Sequence, residues 1–144
     1  MPYHEMSPGE VLAFLGSDPP HTGKLATTRP DGSPHVAPIW FALDDGVIVF
    51  NTGEKTMKGR GLRRDPRVAF CVDDERPPFS FALVRGSVEI IEDLEQVRHW
   101  ARVLGGRYMG GDRADEYGDR NGVPGELLVR LPLEHVSSAR DLAG

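Results

Sequence analysis

Polar turn clusters cut this chain into short apolar runs, most of them the length of strands rather than helices. Residues 24–28 lead into Arg29-Pro30-Asp31-Gly32, a turn with proline second and glycine fourth. The run 36–42 returns, Asp44-Asp45-Gly46 turns again, and 47–52 follows, which predicts a three-strand antiparallel meander. Residues 68–73 read as a fourth strand. Residues 79–91 read as a long fifth, with Gly86 marking a bulge or a close backbone approach. A last core strand is expected over 127–131.

Helical spacing is confined to a few places. Ser7-Pro8-Gly9-Glu10 has the form of a capping box with proline at the first helical position, and Val11, Leu12, Phe14 and Leu15 make its apolar stripe. Met6 and Val11 are placed for a hydrophobic staple, and Pro19-Pro20 ends the segment. Asp93 caps the clearest helix, 93–104, in which Leu94, Val97, Ala101 and Leu104 recur near helical spacing. The segment 105–125 holds seven glycines in 21 residues and reads as a functional loop, partly helical around 113–117. Five or six antiparallel strands with two or three short helices fit a mainly β (α+β) fold, a small barrel flanked by helices.

Composition narrows the function classes. At 144 residues and 39% hydrophobic, the chain is expected to form one domain over 1–144. A net charge of −5 argues against a nucleic-acid module, and no run approaches the ~20 apolar residues of a membrane span. The N-terminus shows no basic stretch followed by an apolar one, so no leader is expected. Cys71 is the only cysteine, reads as a small strand residue, and fits a reducing cytoplasm.

Against that acidic background, residues 51–66 (NTGEKTMKGRGLRRDP) set Lys55, Lys58, Arg60, Arg63 and Arg64 against Glu54 and Asp65 alone, a local charge of about +3. Five cations on a short helix just after a strand suit a small polyanion, which gains Coulomb attraction and the free N–H groups of a helix N-terminus. A solvated basic helix face is the competing reading. Asn51 and Thr52 close an apolar strand immediately before, where polar side chains can bond a heterocycle while Lys55 and Lys58, with the Thr56 hydroxyl, reach a phosphate.

No catalytic residue and no metal site can be assigned. The five histidines form no ligand pair, and the serines lack a nucleophile motif. Chemistry is therefore expected from a cofactor. His35, on the strand with Pro38, Ile39 and Trp40, reads first as a half-exposed strand histidine and second as a pocket residue. Trp40 is a core residue or a ring-stacking platform, and Phe79 with Phe81 is core or pocket wall.

GKLATTRPDGSPHVAPIWF, NTGEKTMKGRGLRRDPRVAF and the late NGVPGELLVRL, in this order, resemble the pyridoxamine-phosphate-oxidase-like split β-barrel proteins. Within them the chain resembles the actinobacterial branch that uses the deazaflavin coenzyme F420. The resemblance implies an FMN-binding-like split barrel, a homodimer with a cofactor groove at the subunit interface, and hydride transfer between F420 and an unsaturated small molecule. It places Pro38, Ile39 and Trp40 beside the ring system, and Asn51 and Thr52 at the ring or its ribityl chain. Lys55, Thr56, Met57, Lys58 and Arg60 would hold the phosphate. Phe79 and Ser80 would close the groove, and the partner's Arg120 and Asn121 would cover it. Arg63 and Arg64, at the helix exit, are left to structure or to a ligand tail. The arginine motif with which the pyridoxal-phosphate-forming oxidase holds its substrate phosphate has no counterpart here, so the substrate is expected to differ. His35 or Tyr117, or water, is the expected proton source. The alternatives are an FMN-dependent oxidoreductase of the same fold, or a non-catalytic protein that binds flavin, deazaflavin or haem.

Overall fold

The computed structural model describes residues 4–144; residues 1–3, which open the stretch expected to carry no leader, lie outside it. The described chain runs α1 (Pro8–Leu15), β1 (Gly23–Thr28), β2 (Pro34–Ile39), β3 (Ala42–Asp44), β4 (Val47–Gly53), α2 (Met57–Arg64), β5 (Arg67–Asp74), β6 (Ser80–Ser87), β7 (Glu89–Ile91), α3 (Leu94–Met109), α4 (Ala114–Asn121), β8 (Glu126–Leu131) and β9 (His135–Ala139). A 3-10 turn over Gly111–Arg113 joins α3 to α4. The strands form a five-stranded sheet, β2-β1-β5-β6-β9, and a four-stranded sheet, β3-β4-β8-β7, with every pair antiparallel. This is the α+β split barrel that the sequence led us to expect.

Two expected strands prove to be broken, and both breaks are corners where the chain changes sheet. The run 36–42 stops at Trp40 and Phe41: β2 stays beside β1, and β3 crosses to β4. Phe41 turns inward, edge-on to Phe70 at 5.1 Å, while Trp40 turns outward and stacks on Tyr108 at 5.0 Å and 3°. The run 79–91 likewise breaks at Val88, sending β6 and β7 to different sheets. The expected meander is therefore divided between the sheets, because closing a barrel requires strands to bend across its corners. β9 was not foreseen; its sequence, HVSSA, carries no apolar run.

Phe41, Phe50, Phe70, Leu25, Ile48, Val72, Val84, Leu127, Val129 and Leu131 fill the barrel interior, sealed by Val11 and Leu15 of α1 and Leu62 of α2. A second cluster lies outside the four-stranded sheet, where Val97 and Leu104 of α3 pack on Ala42, Val49 and Leu128. The expected capping box of α1 is formed: Ser7 Oγ accepts from the Glu10 N–H at 3.2 Å and Glu10 accepts from the Ser7 N–H at 3.0 Å.

The glycine-rich segment is mostly helix rather than loop. α3 runs to Met109 and α4 returns against it. Glycine serves close packing here: a Cβ on Gly105 would stand 2.3 Å from Tyr117 Cβ, too near for any atom. The outer face of the five-stranded sheet carries small and apolar residues in register. One row runs Val36, Ala26, Ala69, Arg85, and the next Lys24, Cys71, Leu83. Val36, 63% exposed, is the most open large hydrophobic among the described residues. Among the described residues no helix is long and apolar enough to cross a membrane.

Candidate cofactor site

Strand β4 sorts its side chains by alternation. Ile48 and Phe50 enter the barrel, and Val49 faces the α3 side. Asn51 continues that second face, and its Nδ2 donates to the Leu127 carbonyl at 3.4 Å. Thr52 is buried on the first face, its hydroxyl 3.3 Å from that of Thr56.

Thr56 is the N-cap of α2. Its Oγ1 accepts from the Gly59 N–H at 3.1 Å and donates to the Gly53 carbonyl at 2.8 Å. The hydroxyl proton is thus already committed, and Thr56 shapes the helix entrance rather than offering a free donor. The Arg60 N–H closes the first helical bond to the Thr56 carbonyl at 2.9 Å. Among the described residues the Met57 and Lys58 N–H groups are left with no partner at the helix end. Gly59 brings that end onto the strand: a Cβ there would meet the Gly53 carbonyl oxygen at 2.1 Å.

Two cavities adjoin this end. One, of about 210 Å³, is lined by Pro38, Ile39, Trp40, Asn51, Lys58, Ala101, Leu104, Asn121 and Glu126. The other, of about 640 Å³, lies between Gly53–Thr56 and Val123–Glu126, and Lys55 borders it. Glu126 lines both. Burial pushes its carboxyl pKa above the ordinary value, and the Lys58 charge opposes that shift.

The basic segment divides in two. Arg63 pairs with Glu92, with Glu54 at 3.9 Å, and Arg64 donates to the Thr28 carbonyl at 2.6 Å. Both serve the helix exit. Lys55, Lys58 and Arg60 make no ion pair among the described residues.

Pro38, Ile39, Trp40, Asn51 and Lys58 therefore meet in one cavity, as the sequence suggested, with Lys55 and Thr56 at its neighbour. Met57, half exposed, opens the helix, and Arg60 is exposed one turn on. Phe79 and Ser80 lie elsewhere, beside the C-terminal turn: the Leu142 N–H donates to the Phe79 carbonyl and the Asp141 N–H to Ser80 Oγ. They sit at the end of the β5–β6 ladder opposite to α2, roughly 23 Å along the strand from Arg67. Arg120 lies over the Tyr117 ring at 5.6 Å, whereas its neighbour Asn121 lines the same chain's cavity. Tyr117 is buried, edge-on to Trp40. His35 is opposite Thr27 in the ladder and lines neither cavity. Sequence reasoning missed Ala101, Leu104 and Glu126. Only the helical face of α3 and the pairing of Glu126 with Gly53 reveal them.

The family model described as pyridoxamine 5'-phosphate oxidase matches residues 8–138. The chain belongs to the pyridoxamine 5'-phosphate oxidase family. Among solved members of similar fold, the conserved protein Rv2991 from Mycobacterium tuberculosis is 31% identical, with a TM-score of 0.82 over 96% of this chain and 89% of that one. A structure named F420 reductase is 32% identical, with a TM-score of 0.64 over 82% of this chain and 90% of that one. A FAD-binding protein from Mesorhizobium loti, 22% identical, shares the fold with a TM-score of 0.69 over 96% of this chain and 97% of that one.

The residues present in this oxidase-family chain fit a phosphorylated redox cofactor. Free cations and two unpartnered N–H groups match a phosphate, and the half-buried Trp40 beside Ile39 and Leu104 offers an apolar wall to a ring.

Proposed function

We propose that the chain is an oxidoreductase that docks a ribityl-phosphate cofactor, the deazaflavin F420 in preference to FMN, and reduces an unsaturated small molecule. The observation that carries this reading is the meeting of Lys58, Asn51 and Trp40 in one cavity, beside the unpartnered N–H groups of α2. The 32% identity to an F420 reductase supports F420, and the unpaired Lys55 and Arg60 suit its anionic tail.

When bound, the cofactor would supply the hydride. Lys58 and the Met57 and Lys58 N–H groups hold the phosphate, with Lys55 and Arg60 adding charge at the rim. Asn51 keeps its amide carbonyl and one N–H hydrogen for the heterocycle. Ile39, Trp40 and Leu104 shield the ring from water, so the protein acts by orientation and exclusion. The proton that completes the reduction is drawn from solvent at the cavity mouth, since neither His35 nor Tyr117 lines it. A homodimer completes the groove through the apolar outer face of the five-stranded sheet, and a second copy brings Phe79 and Ser80 to it.

The test is to titrate FMN and F420 separately into wild type and into the Lys55→Ala/Lys58→Ala variant. Loss of two charge-assisted contacts, at about 1.5–3 kcal/mol for a hydrogen bond to a charged group, predicts at least tenfold weaker binding. Equal affinity in both proteins refutes the clamp. Reduction of a cyclic enone by reduced F420 checks turnover; tight binding with no acceptor reduced over a broad panel would make the protein a carrier instead.

A further inference from the structure

Glu126 is the one carboxylate that borders both cavities at the α2 end. Its position is fixed by the backbone. It opens β8 opposite Gly53, and its N–H donates to the Val123 carbonyl at 3.1 Å. Its Oε2 lies 3.2 Å from where a Cβ on Gly53 would stand, so the carboxylate rests on bare backbone just where β4 turns into the cap of α2. The charged groups around it are Lys58 from α2, and Lys55 and Glu54 from the turn before α2. Strand β4 and helices α3 and α4 present only neutral residues to the same cavity: Asn51, Ala101, Leu104 and Asn121.

A clamp built for an anion therefore contains an anion of its own. We propose that Glu126 is the charge partner of the clamp, facing Lys58 when the site is empty and taking up one proton when the cofactor's phosphate binds. This rests on the phosphate-clamp reading above. A phosphate brought beside the carboxylate, with one cation shared between them in a half-buried site, raises the proton affinity of the carboxyl, which burial already pushes above its ordinary value. The proton comes from solvent, and the neutral acid then offers its O–H to a phosphate oxygen. Binding and protonation are linked, so affinity falls as pH rises, by up to about tenfold per pH unit while one proton is coupled. For FMN the second ionisation of the phosphate monoester, near ~6, acts in the opposite sense, since it adds ligand charge as pH rises; the phosphodiester of F420 has no second ionisation.

Calorimetric titration of FMN into wild type and Glu126→Gln, between pH 6.5 and 8.5 in two phosphate-free buffers of different ionisation enthalpy, tests this, with thermal melting to confirm that the variant is folded. F420 replaces FMN if it is the cofactor held. Wild type is expected to take up a proton on binding, and Glu126→Gln none, with severalfold tighter binding than wild type at the alkaline end. Riboflavin, which lacks the phosphate, should bind without proton uptake. Equal proton counts in the two folded proteins, or weaker alkaline binding by the variant, overturns the role of Glu126 and leaves the clamp standing. Failure of wild type to bind either cofactor defeats the clamp, and this inference with it.

Discussion

A single hydroxyl does two tasks at position 56, and its geometry explains why residue types alone misjudge the site. Thr56 was a sensible phosphate donor in sequence, but the strand end beside it takes its proton and the helix takes its lone pair. The anion is left to backbone N–H groups, which no sequence pattern displays. Asp65, at the other end of α2, is the counterpart on the carboxylate side. Arg67 grips it through Nε at 3.0 Å and Nη2 at 2.8 Å, and its N–H adds a third bond at 3.1 Å. These bonds hold the Asp65 pKa down to about 2. A depressed carboxylate stabilises the fold fully above its unfolded value, near ~4, and that contribution is lost as pH falls towards 2. Asp65→Asn should therefore lower the melting temperature at neutral pH and flatten the acid limb between pH 4 and 2. Parallel acid limbs for variant and wild type would contradict it.

At the scale of elements, the strands of the core were legible because their apolar runs are long enough to bury one face, as in 68–73 and 127–131. The corners were not. Nothing in PIWFAL announces that Trp40 and Phe41 point into different clusters; barrel closure decides that. The site shows the same division. Asn51 and Lys58 could be found from their place in the chain, whereas Glu126 and Leu104 reach the cavity only through pairing and packing. The glycines of 105–125 misled for a physical reason, because a residue chosen for close helix contact has the composition of a loop. Gly105→Ala tests the contact between α3 and α4. Alanine gains about 1 kcal/mol of helix propensity, but its Cβ would overlap Tyr117, and overpacking costs typically about 1–3 kcal/mol and occasionally more. A net loss of up to about 2 kcal/mol is expected in urea unfolding, together with weaker cofactor binding, since α4 carries Asn121. A stabilised variant would show that the helices can part freely.

For the whole molecule the question is what covers the outer face of the five-stranded sheet. Ala26, Ala69, Cys71 and Leu83 give its middle small, apolar relief, with Val36 open at the edge and Lys24 and Arg85 beside them in the same rows. A face of that kind fits a second copy of the chain, the association proposed above. Ala69→Arg, which sets a long cation in the middle of that face, should convert a dimer to a monomer in sedimentation while leaving the melting curve cooperative. It should also weaken cofactor binding if the second copy completes the groove. An unchanged sedimentation coefficient would move the interface elsewhere.

The corner at Trp40 and Phe41 has one more consequence. Because Phe41 is sunk among Phe70 and its neighbours, the wall that Trp40 presents cannot swing away without pulling an aromatic ring out of the barrel. The amide of Thr52, in the ladder between β4 and β8, belongs to the same cooperative unit and should exchange with deuterium only when the whole protein unfolds. An arriving ligand meets a surface already assembled, and no ordering entropy of that wall is subtracted from its affinity.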